Sequence, residues 1–335
     1  MSRDNNRVLE SKSRFERMRE HLQIQPSPDN AAFEEAVIGA CRDKIDELLA
    51  DAAVRSGEDI LDHVAASLQV RFEEVHDDED IAELEQKYLK DKGEIGFGQL
   101  EIELNAPDVD AILFQRMRAD RLDPDRWVAV LNLRESRSRA YWNRAHELIH
   151  RIAEPPQYRL PFYRHRNDKT NPLESLIDKG AAELAFYPRI FRPIVSSVSR
   201  EIMSWDLVNH VREHFAPSAS RLATAIAMLR HWPSETYMLK ARIQGRKGSP
   251  RIDRALRISF QGHSPTTDKR VFFFPNMRVP ATSPISKSYQ CGHPISDIDD
   301  LGEWVTSNGS KLPAISSFTS VVPWRDSVFA LASPI

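Results

Sequence analysis

The chain has 335 residues, of which 41% are hydrophobic and 28% charged, with a net charge of −3. That length supplies material for two domains, or three small ones, and the balance is that of an ordinary globular protein. It gives no global pull toward nucleic acid or anionic membrane, so any such contact must come from a local patch. Cys41 and Cys291 are the only cysteines. Two such residues build neither a disulfide framework nor a cysteine zinc site, and they favour a reducing compartment. Met1 to Gln25 is polar and charged with no apolar signal core, and no apolar run approaches the ~18 residues of a membrane span. A soluble, cytoplasmic protein is expected.

Residues 1–30 mix charges with Pro26 and Pro28 and read as a mobile lead-in. Phe33, Val37, Cys41, Ile45, Leu48, Leu49 and Ala52 recur at helical spacing and predict an amphipathic helix over 31–54. After Gly57 a second helix carries Ile60, Leu61, Val64, Ala65 and Leu68 on one face. Val70–Val75 reads as a short strand and the acidic 77–87 segment as a surface helix. Leu100, Ile102 and Leu104 alternate with polar residues, which predicts a half-buried strand over Gln99–Leu104. Trp127–Leu133 is a further strand leading into a helix that bears two histidines. Residues 158–171 form a loop rich in arginine and aromatics, and a helix then runs from Pro172 to about Tyr187. Pro188 and Pro193 break the next segment, and two helices follow near 201–214 and 218–231. Beyond Tyr237 the texture turns β-like, with strands expected at Tyr237–Ile243, Ala255–Phe260, Val271–Phe274 and Ser327–Ala332.

The chemistry lies in His146-Glu147-Leu148-Ile149-His150. Residues four apart share a helix face, so His146 and His150 can offer two imidazoles to one metal while Glu147 stands beside them as general base. Tyr141, Ala145, Leu148 and Ile152 make the core-facing stripe of the same helix. A catalytic zinc takes three protein ligands and leaves one position open. Glu174 is the best third ligand. Asp178, one turn later, is placed to accept the free N–H of a ligand histidine. A purely structural reading competes here, because Asn171 as N-cap, Pro172 at the first position and Glu174 in the first turn make a good helix start by themselves.

Trp142-Asn143-Arg144-Ala145-His146-Glu147-Leu148-Ile149-His150 resembles the zinc helix of the ImmA/IrrE metallopeptidase family, which commonly reads as an aromatic, then A-H-E-L-G-H. A strand ending in asparagine usually precedes it, similar to Val128–Asn132 here. The family's downstream E-x-x-A-N-x-F-A-A-x-L-L-M-P is loosely matched by Glu174 through Pro188, and its F-x-V-S helix pair by Phe215-Ala216-Pro217-Ser218. The likeness covers about residues 55–232, specific at the zinc helix and loose elsewhere. Ile149 replaces the usual glycine, Gly180 stands where phenylalanine is usual, and Leu184–Pro188 is one residue longer. Residues 105–126 look like an insertion over the site.

The resemblance implies an α+β fold with a zincin-like metallopeptidase domain over 31–200. A helix-turn-helix-like helix pair over 201–234 and a smaller β-rich C-terminal domain over 235–335 complete the expected layout. The implied activity is a zinc endopeptidase that cleaves a regulatory protein, typically a helix-turn-helix transcriptional repressor. In that mechanism Zn2+ activates water, Glu147 moves the proton, and a further donor faces the oxyanion; Tyr163, His165, Tyr187 and His210 are available for it, and the sequence does not choose among them. The substrate is expected to add as a strand beside Gln99–Leu104. A rival reading keeps the scaffold as a non-catalytic binding protein that meets partners through its C-terminal part. The second helix of the pair, Arg221 to Leu229, has few polar readers, and the basic run from Lys240 to Arg257 reads equally well as a solvated loop, so nucleic acid is not the expected partner.

Overall fold

The computed structural model describes residues 14–26, 29–106, 109–120, 122–134, 139–155, 171–245, 254–266, 269–306 and 309–335, and the backbone of 162–165. It is a mixed α+β chain that divides into two compact units, Met1–Pro188 and Arg189–Ile335.

The first unit opens with a short helix, α1 (residues 14–21), inside the stretch read as a lead-in. Met18 on it is fully buried, and that apolar anchor ties the segment to the unit. Helix α2 (Asn30–Leu48) starts at Asp29, whose carboxylate accepts from the Ala31 amide. Helix α3 (Gly57–Ser67) begins with a reciprocal Ser56–Asp59 capping box. Strand β1 (Val70–Val75) leads into α4 (Asp78–Glu85), which is capped in the same way by Asp77 and Asp80. A π-turn over Gln86–Asp91 and a 3-10 turn over Ile95–Gln99 then feed α5 (Leu100–Leu104).

Helix α5 corrects the strand expected at Gln99–Leu104. Leu100 and Leu104, four apart, are buried, whereas Ile102 is 74% exposed. The apolar residues therefore follow the helical period, and the alternation was an accident of a five-residue window.

Strands β2 (Val109–Gln115) and β3 (Trp127–Asn132) complete the centre of a four-stranded sheet in the order β1-β3-β2-β4, where β4 is Phe162–His165. β1 and β3 run parallel and the other pairs antiparallel. Residues 105–126 are thus no insertion over a site: they contain an inner strand. The run Val109–Phe114 is buried throughout because both of its faces are covered. On one face Ile112, Phe114, Val128 and Val130 pack with Tyr88, Phe97, Leu100 and Leu104. Ala111 and Leu131 turn to the other face with Phe72 and Ala140. β4 falls within the segment expected to be a loop, and of the rest of 158–171 only residue 171 is described.

Helices α6 (Ala140–Ala153) and α7 (Pro172–Ala185) carry the site and pack against each other. The close approach of the two is visible at Gly180, where an added Cβ would come within 2.9 Å of Ile149 Cγ2.

In the second unit α8 (Pro188–Val198) is continuous through Pro193, contrary to the expected break. Pro188 fits the first helical position, and Phe191 and Val195 bury one face. Helices α9 (Trp205–Phe215) and α10 (Arg221–His231) are capped by Ser204 and Ser220. Trp205 joins α9 to a second sheet, donating its indole N–H to the Phe329 carbonyl at 3.2 Å. That sheet is antiparallel, in the order β6-β5-β9-β8-β7, built from β5 (Tyr237–Gly245), β6 (Arg254–His263), β7 (Ile295–Asp300), β8 (Ser316–Trp324) and β9 (Ser327–Pro334). Helix α11 (Pro284–Cys291) packs on it. Val271–Phe274 is not a strand: Val271 and Phe273 do point inward, but the Val271 amide donates to the Glu235 carboxylate rather than to a neighbouring strand. Of the basic run, Arg246, Lys247 and Arg251 lie outside the described residues. No helix among the described residues is long and apolar enough to cross a membrane.

Candidate metal centre

Helix α6 is set by contacts at both ends. Arg139, just before it, donates Nη1 to both carboxylate oxygens of buried Asp110, at 3.0 and 3.1 Å. Asp110 sits at the irregularity in β2 pairing between Val109 and Ala111, and its carbonyl accepts from Asn143 Nδ2 at 3.2 Å. Near the start of the helix the Tyr141 hydroxyl donates to the Ala185 carbonyl at the end of α7. Further along, the Arg151 guanidinium lies 4.9 Å from the Trp127 ring centre. Asn132, which ends β3, bridges the Leu104 and Val109 carbonyls with its amide group at 3.1 and 3.0 Å. The histidine helix therefore rests on a rigid strand pair.

This framework brings His146, His150 and Glu174 together, all buried, with one ligand atom from each within 4.8 Å of the others. The His146 and His150 Nε2 atoms lie 3.0 Å apart. Glu174 Oε2 is 3.1 Å from the first and 3.4 Å from the second. Two ligands each ~2.0–2.1 Å from one tetrahedral ion lie about 3.3 Å from each other, so the triangle has the size a metal demands.

The outer ring nitrogens decide the protonation. His146 Nδ1 meets Asp178 Oδ1 at 2.9 Å, and His150 Nδ1 meets Glu154 Oε1 at 2.7 Å. An ionised carboxylate only accepts, so each Nδ1 carries a proton and each Nε2 faces inward, where a neutral ring would offer its lone pair to a metal ion. Without an ion the same acidic surroundings hold a proton instead: burial alone would lower the His150 pKa, yet the charge of Glu174 and the bonds to Glu154 and Glu174 raise it to about 10. Burial likewise pushes Glu174 up, and the two facing imidazoles overrule it, holding this carboxyl well below its usual range. The buried His-His-Glu group can hold a metal ion.

Glu147 is fully buried on α6, next in sequence to His146. Asp178 reaches its expected partner from a half-exposed position. The candidate oxyanion donors fare differently. Tyr187 is buried and donates its hydroxyl to Asp46 of α2. His210 lies on α9 in the second unit, its ring 4.2 Å from that of His214. The side chains of Tyr163 and His165 lie outside the described residues.

No family model and no curated protein matches the chain. Among solved structures it is similar to a Mycobacterium tuberculosis transcriptional regulator at 12% identity, over 89% of this chain and 76% of that one, with a TM-score of 0.41. So slight a likeness identifies neither a family nor an activity.

Two residues at the centre escaped the sequence reading. Glu154 carried a legible signal, since it stands four residues after His150 and so on the same helix face. Arg14, which donates Nε and Nη2 to the Glu154 carboxylate at 3.0 and 2.8 Å, carried none, because it lies 140 residues away in the chain.

Proposed function

We propose that this chain is a zinc-dependent endopeptidase of the ImmA/IrrE kind, with a zincin-like first unit, acting on a regulatory protein such as a helix-turn-helix repressor. The observation that carries the reading is the buried triangle of His146, His150 and Glu174 with Glu147 beside it on α6. Two imidazoles and one carboxylate make a donor set suited to zinc, and three protein ligands leave a position open for chemistry. The substrate class rests on resemblance alone.

A bound zinc supplies Lewis acidity toward water and toward the scissile carbonyl. The remaining work falls to the chain. His146, His150 and Glu174 hold the ion, and Asp178 and Glu154 fix the tautomers that make the two histidines ligands. Glu147 accepts the proton of the attacking water and delivers it to the leaving amine, so that a neutral amine departs. An extended peptide can add as a strand only at a sheet edge. Helical Gln99–Leu104 offers none, and the sheet ends at β1 and β4.

The test is metal analysis of protein expressed with ample zinc, followed by incubation with candidate repressors. About one equivalent of zinc, and cleavage lost in Glu147→Gln, is the expected result. Less than about a tenth of an equivalent would overturn the metal reading, and cleavage that survives Glu147→Gln would overturn the assigned base.

A further inference from the structure

Each ligand histidine has its own carboxylate, but the two arrangements are unlike. Asp178 is half exposed, and water can share its work. Glu154 is almost wholly buried, and its second partner is an arginine from the N-terminal helix. Arg14 grips Glu154 with two parallel N–H···O bonds, from Nε to Oε2 at 3.0 Å and from Nη2 to Oε1 at 2.8 Å. This fork fixes the plane of the carboxylate as well as its charge. Oε1 is the atom that faces His150 Nδ1, at 2.7 Å. The same Nη2 lies 3.9 Å from Glu174 Oε1, the ligand oxygen's partner in that carboxylate.

Glu154 needs such a clamp. It is the C-cap residue of α6, with extended backbone (φ −110°, ψ 141°), so the helix no longer dictates where its side chain points. Without a fixed partner, a buried carboxylate at a helix end can turn away from the imidazole, and His150 loses the bond that holds its ring and its tautomer.

We propose that Glu154 and Arg14 are positioning residues for the metal centre: Glu154 orients His150, Arg14 orients Glu154, and the N-terminal helix is thereby part of the site. The inference rests on the metal reading given above, and it extends the site to a segment that nothing in the sequence pattern ties to it. Neither residue is among the three that would hold the ion.

The test is zinc affinity of the full-length protein by competition with a chromogenic chelator, with far-UV circular dichroism as the check on folding. Glu154→Gln should raise the zinc Kd about ten- to a hundredfold. Arg14→Met keeps an apolar stem and should raise it about tenfold, and Arg14→Lys, which keeps the charge but loses the fork, should recover part of that loss. In Arg14→Met/Glu154→Gln the affinity should lie close to that of Glu154→Gln alone, because Arg14 acts chiefly through Glu154 and its 3.9 Å approach to Glu174 is the lesser contact. Arg14 is partly exposed, so its variants keep the test alive if Glu154→Gln does not fold. Wild-type zinc affinity in Arg14→Met, with or without a lowered melting temperature, would overturn the proposal while leaving the metal reading intact. Independent, multiplying effects in the double variant would overturn the relay. Failure of the unsubstituted protein to bind zinc would overturn the metal reading and this inference with it.

Discussion

At the scale of single residues, the acidic groups around the imidazoles have distinct jobs that their positions assign. Glu174 offers its oxygen to the same point as the two Nε2 atoms, so Glu174→Gln removes a charged donor from a set of three. Asp178→Asn removes only an outer negative charge at a half-exposed site, since its carbonyl can still accept from His146. Zinc affinity should therefore fall by about tenfold or less in Asp178→Asn, and by more than a hundredfold in Glu174→Gln, as measured by chelator competition. The two cysteines give a second contrast. Cys41 is buried and its thiol is pushed up to about 12 by burial, whereas Cys291 is exposed. In the native protein a maleimide should label one thiol rapidly, and Cys291→Ser should abolish that fast phase. The site was readable in the sequence wherever its residues share a helix face: His146 with His150, and Glu174 with Asp178. Glu154 obeyed the same rule and was readable in principle. Arg14 and Tyr187 were not, because their partners, Glu154 and Asp46, lie 140 and 141 residues away, brought near only by the fold.

At the scale of elements, Ile149 of α6 and Gly180 of α7 meet across the helix pair, and the large side chain fills the space that the glycine leaves. An added methyl at Gly180 would come within 2.9 Å of Ile149 Cγ2, the methyl of a β-branched side chain with little rotamer freedom. Gly180→Ala should consequently destabilise the protein by about 1–3 kcal/mol, although alanine favours a helix by about 1 kcal/mol over glycine. Ile149→Ala removes the clashing methyl, so the double variant should lose less than the sum of the two single losses in urea unfolding. Additive losses would show that the helices relax apart instead. Elements with a long, clear period, such as β1, β3, α6 and α7, were legible in the amino-acid pattern alone. Short ones were not: five residues of α5 fit a strand as well as a helix, and β2, Val109–Gln115, was masked by the charged stretch Arg116 to Arg126 that follows it. Strand β7, Ile-Ser-Asp-Ile-Asp-Asp, lies at a sheet edge with one buried residue, Asp299, and so lacks the apolar alternation that reveals a strand.

At the scale of the whole molecule, each compact unit holds a titratable or metal-binding group that links its own stability to a solution variable. In the first unit that group is the metal triangle, since any ion that binds the folded arrangement and not the unfolded chain adds RT ln(1 + [L]/Kd) to stability. In the second it is Asp299. This carboxyl is buried and accepts from Ser283 Oγ at 2.7 Å and Trp304 Nε1 at 3.2 Å. Burial, together with the neighbouring charges of Glu303 and Asp300, raises it from 3.8 to about 6 despite those two bonds. The folded state therefore binds the proton more tightly than the unfolded one. The stabilisation from protonated Asp299 is complete below about pH 3.8 and is lost as the pH climbs toward 6, after which nothing further changes. About two units correspond to at most ~3 kcal/mol. Asp299→Asn supplies a neutral side chain whose carbonyl can still accept from Ser283 and Trp304. It should melt at a higher temperature than the unsubstituted protein at pH 7, with the advantage shrinking as the pH falls below 5. Calorimetry across this range, with and without a zinc chelator, separates the two linkages: the chelator effect should be the same in Asp299→Asn and in the unsubstituted protein, whereas the pH effect should differ. A pH-independent difference between the two proteins would show that folding leaves the Asp299 pKa where it is in the unfolded chain, the two donors just offsetting burial and neighbouring charge.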